Sequence, residues 1–493
     1  MILHAFVRRS PVAVAAVASL LLTGCLLGPR YRRPEMAPPE QHRFAETPAQ
    51  AASIADTPWW QIFQDPQLQE LIRQAIANNL DLRAATARVE QARAQAGVAK
   101  SFLYPEIGAS AGYTTRQGSK VSDPPEVTSD ERTVRNFSAA FTLSWEIDLF
   151  GRLRRQNESA YAVYLATAEA HRGVLITLVA DVASNYLLLR DLDLQLEIAR
   201  QTLRSNQETV AFYSSRLKGG VSNRLEYDTA VANRARTAAV IPGLESQIAA
   251  TENLLSLLVG RPPGPIQRGA ALTDQHVPPQ VPAGLPVALL ERRPDVLQAE
   301  QLLVAANADV GAAKALFFPT INLTGLFGGL SREISDVTKP DAAIWSVGAG
   351  LFQPIFQGGR IKRNYEASKA AFDQAMAQYQ QAALNSYREV ADSLMAIQKQ
   401  AQARIELEQG VEALRDAAKL ARSRYDTGLA NYLEILNADQ QLFDQELQLA
   451  QTRGQELVAF VQLYRALGGG WQPEPEKEPG AAQTQGRKPA ATP

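Results

Sequence analysis

Phe137-Ser138-Ala139-Ala140-Phe141-Thr142-Leu143-Ser144-Trp145-Glu146-Ile147-Asp148 alternates with a period of two. Phe137, Ala139, Phe141, Leu143, Trp145 and Ile147 fall on one face; the serines, Thr142, Glu146 and Asp148 fall on the other. Successive side chains of a strand point to opposite faces, so this stretch predicts a strand with one apolar and one small, polar side. Ile107, Ala109, Ala111 and Tyr113 repeat the pattern, and Ile321, Leu323, Gly325 and Phe327 follow it less cleanly, as do Trp345, Val347, Ala349 and Leu351. Each segment has about ten residues, the length a tilted strand needs to cross hydrocarbon. A soluble sandwich with one wet face gives the same alternation. Long polar connections, Arg116 to Arg135 and Ser331 to Ala342, favour strands joined outside a membrane.

Just past that stretch, at Gly151, the period changes. In the matching region after Gly359, the inward positions are Tyr365, Ser368, Phe372, Ala375, Tyr379, Ala382, Ser386, Val390, Leu394, Ile397 and Ala401. Steps of three and four sustained without proline predict a coiled-coil helix from Arg360 to Tyr425, with a counterpart from Arg152 to Leu217. About 66 residues at roughly 1.5 Å each make a rod on the order of 100 Å. Shorter helices are expected over Pro66 to Leu103, Asn223 to Val259, Pro294 to Phe317 and Asn431 to Leu467, with a kink at Pro242-Gly243.

The chain also matches itself. Gly97 to Pro105 aligns with Gly311 to Pro319, Gly151 to Arg155 with Gly359 to Arg363, and Gly220 to Glu226 with Gly428 to Glu434. Matched landmarks in one order indicate a tandem duplication. The expected organisation is a signal peptide over 1–24, a lipid-anchored segment over 25–65, a first repeat over 66–260, a proline-rich joint over 261–286, a second repeat over 287–469 and a disordered tail over 470–493.

Arg8 and Arg9 precede an apolar run from Val12 to Leu22 that ends in Leu22-Thr23-Gly24-Cys25. A basic flank, a short apolar core and small residues before a cysteine form a secretory signal with a lipobox. Cys25 is therefore the expected lipidation site, and a covalent lipid there is the only prosthetic group the sequence calls for. Leu26 is not the aspartate that retains lipoproteins at the inner membrane, which favours the outer one.

In 493 residues there are 50 Lys and Arg against 51 Asp and Glu, so a nucleic-acid partner has no electrostatic footprint. One cysteine excludes a disulfide framework. His42, His171 and His276 lack metal-ligand spacing, and no phosphate-binding glycine loop ending in Lys-Ser/Thr is present. Gly108-Ala109-Ser110-Ala111-Gly112 resembles a hydrolase elbow but sits inside an alternating strand. No catalytic site or metal site emerges, and no enzyme is expected. No run of about 18 residues beyond the signal is apolar throughout, so any membrane crossing must be made by strands. Four strands cannot close a barrel, and open edges in lipid would leave backbone groups unpaired. Several copies must then share one barrel.

The lipobox, Gly28-Pro29-Arg30-Tyr31-Arg32-Arg33-Pro34, the duplicated halves and the terminal Ala466-Leu467-Gly468-Gly469-Gly470-Trp471 together resemble the TolC-like outer-membrane efflux factors, specifically the lipid-anchored OprM-type branch. The resemblance implies a mainly α fold with transmembrane β: a long coiled-coil α-helical barrel, plus four strands per protomer in a shared, trimeric, twelve-stranded barrel. It further implies a homotrimer in the outer membrane reaching into the periplasm, a periplasmic adaptor, and an inner-membrane pump of the resistance-nodulation-division (RND) class. The implied function is a passive exit duct for small molecules such as drugs. A duct for type I protein secretion and a non-conducting, periplasm-spanning lipoprotein are the alternatives.

By motif position Leu429, Leu433 and Asn437 resemble rings that close the periplasmic tip of such ducts, with Glu226 and Glu434 acidic positions nearby. A side chain repeated around an axis makes a ring, apolar for leucine and cation-attracting for a carboxylate. Many relatives carry an acid where Asn437 stands, so a charged inner ring is not implied here. Leu429 and Leu433 share one helical face, and packing between helices is the competing expectation. Gly220 and Gly428 are expected to supply turn conformations.

Overall fold

The computed structural model describes residues 26–45, 58, 62–117, 133–275 and 286–469. The signal, Cys25, most of the first strand-joining loop, His276, Trp471 and the tail lie outside them. Each repeat contributes two shorter helices, two strands, one very long helix and one of intermediate length. The first runs α1 (Pro66–Asn78), α2 (Leu80–Ser101), β1 (Glu106–Gln117), β2 (Thr133–Ile147), α3 (Arg152–Lys218) and α4 (Arg224–Leu258). The second runs α5 (Leu289–Arg292), α6 (Pro294–Ala315), β3 (Thr320–Ser331), β4 (Ala343–Phe352), α7 (Arg360–Asp426) and α8 (Tyr432–Ala466).

The periodicities locate these elements closely. Along α7 the buried positions Ala375, Tyr379, Ser386, Val390 and Leu394 belong to the expected seam. One expectation is corrected: Pro66 to Leu103 is two helices, not one. Asn79 adopts an extended backbone, and its side chain donates to Leu258 O at 2.9 Å. That bond ties the break to the end of α4. Helix α4 continues through Pro242, whose ring is exposed.

The chain divides into two compact units. One holds Leu80–Val174 and Val287–Tyr387 with the stretch ending at Pro39; the other holds Glu40–Asn79, Leu175–Pro286 and the chain from Arg388. In the first, Leu290, Val296, Leu303, Ala375, Tyr379 and Ala383 form a core on which Tyr31 and Met36 pack. The stretch after residue 25 is strapped there. Arg155, buried at 2% exposure, donates from Nε to Leu27 O at 3.0 Å and from a terminal nitrogen to Pro29 O at 3.1 Å. Asn307 Nδ2 also donates to Pro29 O, and Arg33 pairs with Glu300 at 2.7 Å.

In the second unit Asp65 caps α1, accepting from Gln67 N at 2.8 Å, and also accepts from the Tyr186 hydroxyl at 2.8 Å and Ala270 N at 3.0 Å. Burial would raise this carboxyl, but the hydrogen bonds from Tyr186, Gln275, Gln67 and Leu68 outweigh it and hold it below the usual range. The first part of the proline-rich joint is docked rather than loose. Arg268 pairs with Asp193 at 3.0 Å and with Glu252, Ile266 is buried, and Leu272–Asp274 makes a 3₁₀ turn.

One helix, α3, contains a window long and apolar enough to cross a bilayer by composition, with mean hydropathy 1.4. Half of that window is buried in protein, as Val179, Val182, Tyr186 and Leu189 show. These residues pack a helical core and are not an exposed lipid-facing belt.

Candidate functional site: an apolar strand face and a helical tip

The four strands form one antiparallel sheet in the order β1-β2-β3-β4. Register decides what its faces present. Ala109 faces Phe141, Phe141 faces Phe327, and Phe327 faces Trp345. Ile107, Leu143, Gly325 and Val347 make a second row, and Trp145, Leu323 and Ala349 a third. Every row comes from the odd-numbered, apolar set. The opposite face carries Gly108, Thr142, Leu326 and Ser346 in one row and Glu146, Asn322 and Gly350 in another. Leu326 and Ile344 account for the weaker alternation of the second pair of strands.

The apolar face is bare. Phe141, Phe327, Trp345, Val347 and Leu351 are all more than 60% exposed. A contiguous apolar patch of this kind marks a membrane or partner surface. The aromatic row runs across the middle of the sheet, while Tyr113 and Phe137 stack near one end at 4.7 Å between ring centres. The hydrolase-like serine, Ser110, lies within β1, with no helix after it. At the other end of β2 the turn into α3 is pinned: Arg152 grips both oxygens of Glu146, at 3.1 and 2.6 Å, and Gly151 has φ +78°.

The tip of the second unit is built twice from one plan. Helix α3 stops where Val221 N bonds Arg216 O at 2.9 Å and Gly220 takes φ +69°. Helix α7 stops where Leu429 N bonds Arg424 O at 2.8 Å and Gly428 takes φ +77°. Left-handed backbone favours glycine at both places. Asn223 then caps α4 by accepting from Glu226 N at 2.9 Å, and Asn431 caps α8 by accepting from Glu434 N at 3.2 Å.

These contacts place the sequence-selected residues. Glu226 and Glu434 stand in the first turns of α4 and α8, where the helix dipole favours a carboxylate. Glu226 also accepts from Ser222, and Glu434 lies 3.8 Å from Arg424. Leu429 and Leu433 are 72% and 52% exposed, and Asn437 is exposed one turn beyond Leu433. Packing between helices of the same chain is therefore not what these leucines do. Tyr432, Ile435 and Leu436 take that role, packed with Tyr213, Ala230 and Ala421.

Sequence reasoning missed this aromatic cluster. Tyr213 and Tyr432 lie 4.5 Å apart, with the Arg216 guanidinium 5.9 Å from the Tyr425 ring. The signal was available: Tyr213 and Tyr425 lie on the inward stripes of α3 and α7, beside the turns. Burial raises the Tyr213 and Tyr432 hydroxyls, the latter to about 12, so both stay neutral. Among the described residues, no group of three His, Cys, Asp or Glu side chains could hold a metal ion. His171 Nε2 lies 3.1 Å from Thr86 Oγ1, and His42 is buried with its ring held below its usual pKa by desolvation.

The sequence profile described as outer membrane efflux protein matches residues 71–261 and 285–469, most of the chain and both repeats. The chain belongs to that family. The cation efflux system protein CusC of Escherichia coli O6:H1 is 34% identical over 92% of this chain and 97% of its own. The toluene efflux pump outer membrane protein TtgI of Pseudomonas putida is 35% identical over 92% of this chain and 97% of its own. The solved outer-membrane channel OprN superposes with a TM-score of 0.85 at 31% identity, covering 91% of this chain and all of that one.

This efflux protein is thus an outer-membrane channel component of an efflux system, extending into the periplasm, and its family is one of transport proteins rather than enzymes. The long helices and four strands inferred from periodicity are those of its structural relatives. For an outer-membrane channel, the bare apolar strand face is the surface that lipid covers.

Proposed function

We propose that three copies of this efflux protein close one twelve-stranded barrel and act as a passive exit duct for small molecules, anchored by a lipid on Cys25. The duct is served by a periplasmic adaptor and an inner-membrane pump of the RND class. One observation carries the reading: a sheet with an apolar face exposed across all four strands, whose edges, β1 and β4, have no further strand paired to them among the described residues. In hydrocarbon each unpaired backbone group costs several kcal/mol, so the edges must meet edges of other copies. The polar face then lines water.

The relatives carry cations in one case and toluene in another by their names, while sharing about a third of this sequence. A duct that leaves selection to its pump accommodates both. At the tip, Leu429 and Leu433 are the residues we assign to an apolar closing ring, with Asn437 as an uncharged position beside it and Glu226 and Glu434 setting the turns. Their exposure within the chain supports this, since rings need side chains free to face an axis.

The test is mass by light scattering of detergent-purified protein, with conductance in planar bilayers of wild type and Leu433→Ser. Three chains per particle, rare openings in wild type and a several-fold higher open fraction in Leu433→Ser are expected. A monomer that never conducts would sink the duct, and an unchanged open fraction would remove Leu433 from the ring.

A further inference from the structure

We propose that each copy carries, where β4 turns into α7, a transit site for amphiphilic organic carboxylates, with Arg360 taking the carboxylate and an apolar floor taking the rest of the molecule. The proposal rests on the duct reading and names a class of solute for it.

Leu316, Phe318, Phe352 and Ile361 line a hollow of about 470 Å³, which Arg360 and Gln357 also line. That is room for a small organic molecule, and an apolar wall with a few convergent polar groups is the usual make-up of a ligand site. Phe352 faces Thr320, another lining residue, across β3 and β4. Both belong to the even-numbered face, with Asn322, Thr324 and Gly350, so the hollow lies on the side of the sheet that lines water rather than on the side that meets lipid. Phe352 is nevertheless 62% exposed there. By the offset that matches Gly151 to Gly359, its counterpart in β2 is Ser144, a residue that suits a wet bore without further company.

The same turn in the first repeat shows what its cations hold. Arg152 grips both oxygens of Glu146, and Arg154 pairs with Asp148 at 3.2 Å. In the second repeat the cations persist as Arg360 and Lys362, but Pro354 stands where Glu146 does and Phe356 where Asp148 does. Two carboxylates are replaced by apolar residues, and both positive charges stay. Lys362 comes within 3.9 Å of Glu366. Arg360 is exposed, and its Nε donates to the Gln357 amide oxygen at 3.1 Å; among the described residues no carboxylate pairs with it. A guanidinium is a planar fork of five donors whose shape matches a carboxylate, and an amide oxygen on Nε leaves the terminal nitrogens to an incoming group. The first repeat fills that fork from its own chain. In the second, a solute carboxylate takes the place of Glu146, and its apolar body lies on Phe318, Phe352 and Ile361. A single exposed arginine also holds its ligand loosely enough to release it, as passage through a duct requires.

Photolabelling of the full-length protein in proteoliposomes tests this, with benzophenone carboxylate as the probe and its uncharged carboxamide as the control. The carboxylate should label the peptides that contain Phe318, Phe352 and Ile361, and excess naphthoate should suppress the label. The carboxamide should label them about tenfold less, the scale of one charge-assisted hydrogen-bonded contact. Arg360→Gln should lose label by about the same factor, and Arg360→Lys should keep an intermediate amount because it retains the charge but not the fork. Pro354→Glu is the sharper variant: Pro354 lines the hollow, so a glutamate there supplies Arg360 with the first repeat's partner and should exclude the probe about tenfold. Equal labelling by carboxylate and carboxamide overturns the site, and this comparison needs wild type alone. Full labelling of Arg360→Gln and Pro354→Glu overturns it as well. Suppression by oleate in the bilayer but not by naphthoate makes the occupant a membrane lipid and overturns the transit role. Trimers that conduct in planar bilayers yet take no label lose the site and keep the duct, whereas a monomeric wild type that never conducts loses both.

Discussion

Arg155 and Arg363 hold the same place in the two repeats, one turn into the long helix after a left-handed glycine, and each pairs with a glutamate three residues on. Their surroundings differ completely. Arg155 is buried against the backbone of Leu27 and Pro29, while Arg363 reaches into solvent. The strand-to-helix turns differ likewise: Glu146 clamps Arg152 in the first, but Pro354 stands in its place in the second, and Arg360 bonds Gln357 instead. Duplication copied the side chains, but the energy each contributes depends on what covers it. Within one chain a two-fold repeat can satisfy only one of its two junctions.

The largest effect expected from breaking this comparison is at Arg155. Arg155→Ala removes donors to two carbonyls in a dry setting and should cost about 3 kcal/mol, as loss of one partner from a buried charged hydrogen-bond set typically does. The segment Leu27–Tyr31 should become cleavable in limited proteolysis of the purified protein. Arg363→Ala should leave that segment protected, since its ion pair is exposed and such pairs contribute little. Equal protection in both variants would mean that the Arg155 bonds do not hold the strap.

Most of the architecture was legible because its signals are local and long. A 67-residue helix repeats its inward stripe many times over, so the ends at Arg360 and Asp426 fall within a residue of expectation. The strands were legible for the same reason, their alternation being unbroken over Phe137–Ile147. The break at Asn79 was not, because neither proline nor glycine marks it and its cause is a hydrogen bond to Leu258, far along the chain. At the tip the turns could be read from Gly220 and Gly428. The exposure of Leu429 and Leu433 could not, since an apolar residue on a helix looks the same in sequence whether it faces a core or an axis. Nor could the burial of Arg155, which the near-identical Arg363 does not share.

A second contrast lies further along the long helices, where Asp191 in α3 corresponds to Lys399 in α7. Asp191 is 3% exposed, accepts from Gln195 Nε2 at 2.9 Å, and is covered by Gly454, where a Cβ would come within 2.8 Å of its own. Burial pushes its carboxyl up to about 6. A folded-state value above the unfolded value of about 3.9 means that the folded protein binds the proton more tightly. This contribution is fully favourable below about pH 4, is lost as pH rises to about 6, and is level above that. Asp191→Asn should flatten that slope and stabilise the protein by about 2 kcal/mol at neutral pH. Lys399→Gln, on the exposed counterpart, should change stability by less than about 0.5 kcal/mol. Thermal unfolding between pH 4 and 7 checks both, and a slope surviving in Asp191→Asn would assign it to another group.

The helix caps are where the repeats should behave alike. Asn223 and Asn431 each accept from the backbone nitrogen three residues on, a partner that every copy of the turn supplies for itself. Asn223→Ala and Asn431→Ala should each cost about 1 kcal/mol locally, seen as roughly fivefold faster amide hydrogen exchange around residues 223–227 and 431–435. Aspartate at either place should restore protection, because it caps equally well and meets the positive end of the helix dipole. Matched losses would show that the turns are autonomous and that asymmetry between the halves enters only where long side chains seek distant partners. A loss at Asn431 several-fold above that at Asn223 would mean that something outside the chain fixes the second turn. Leu429 and Leu433, exposed on that turn, would then be the contacts through which it does so.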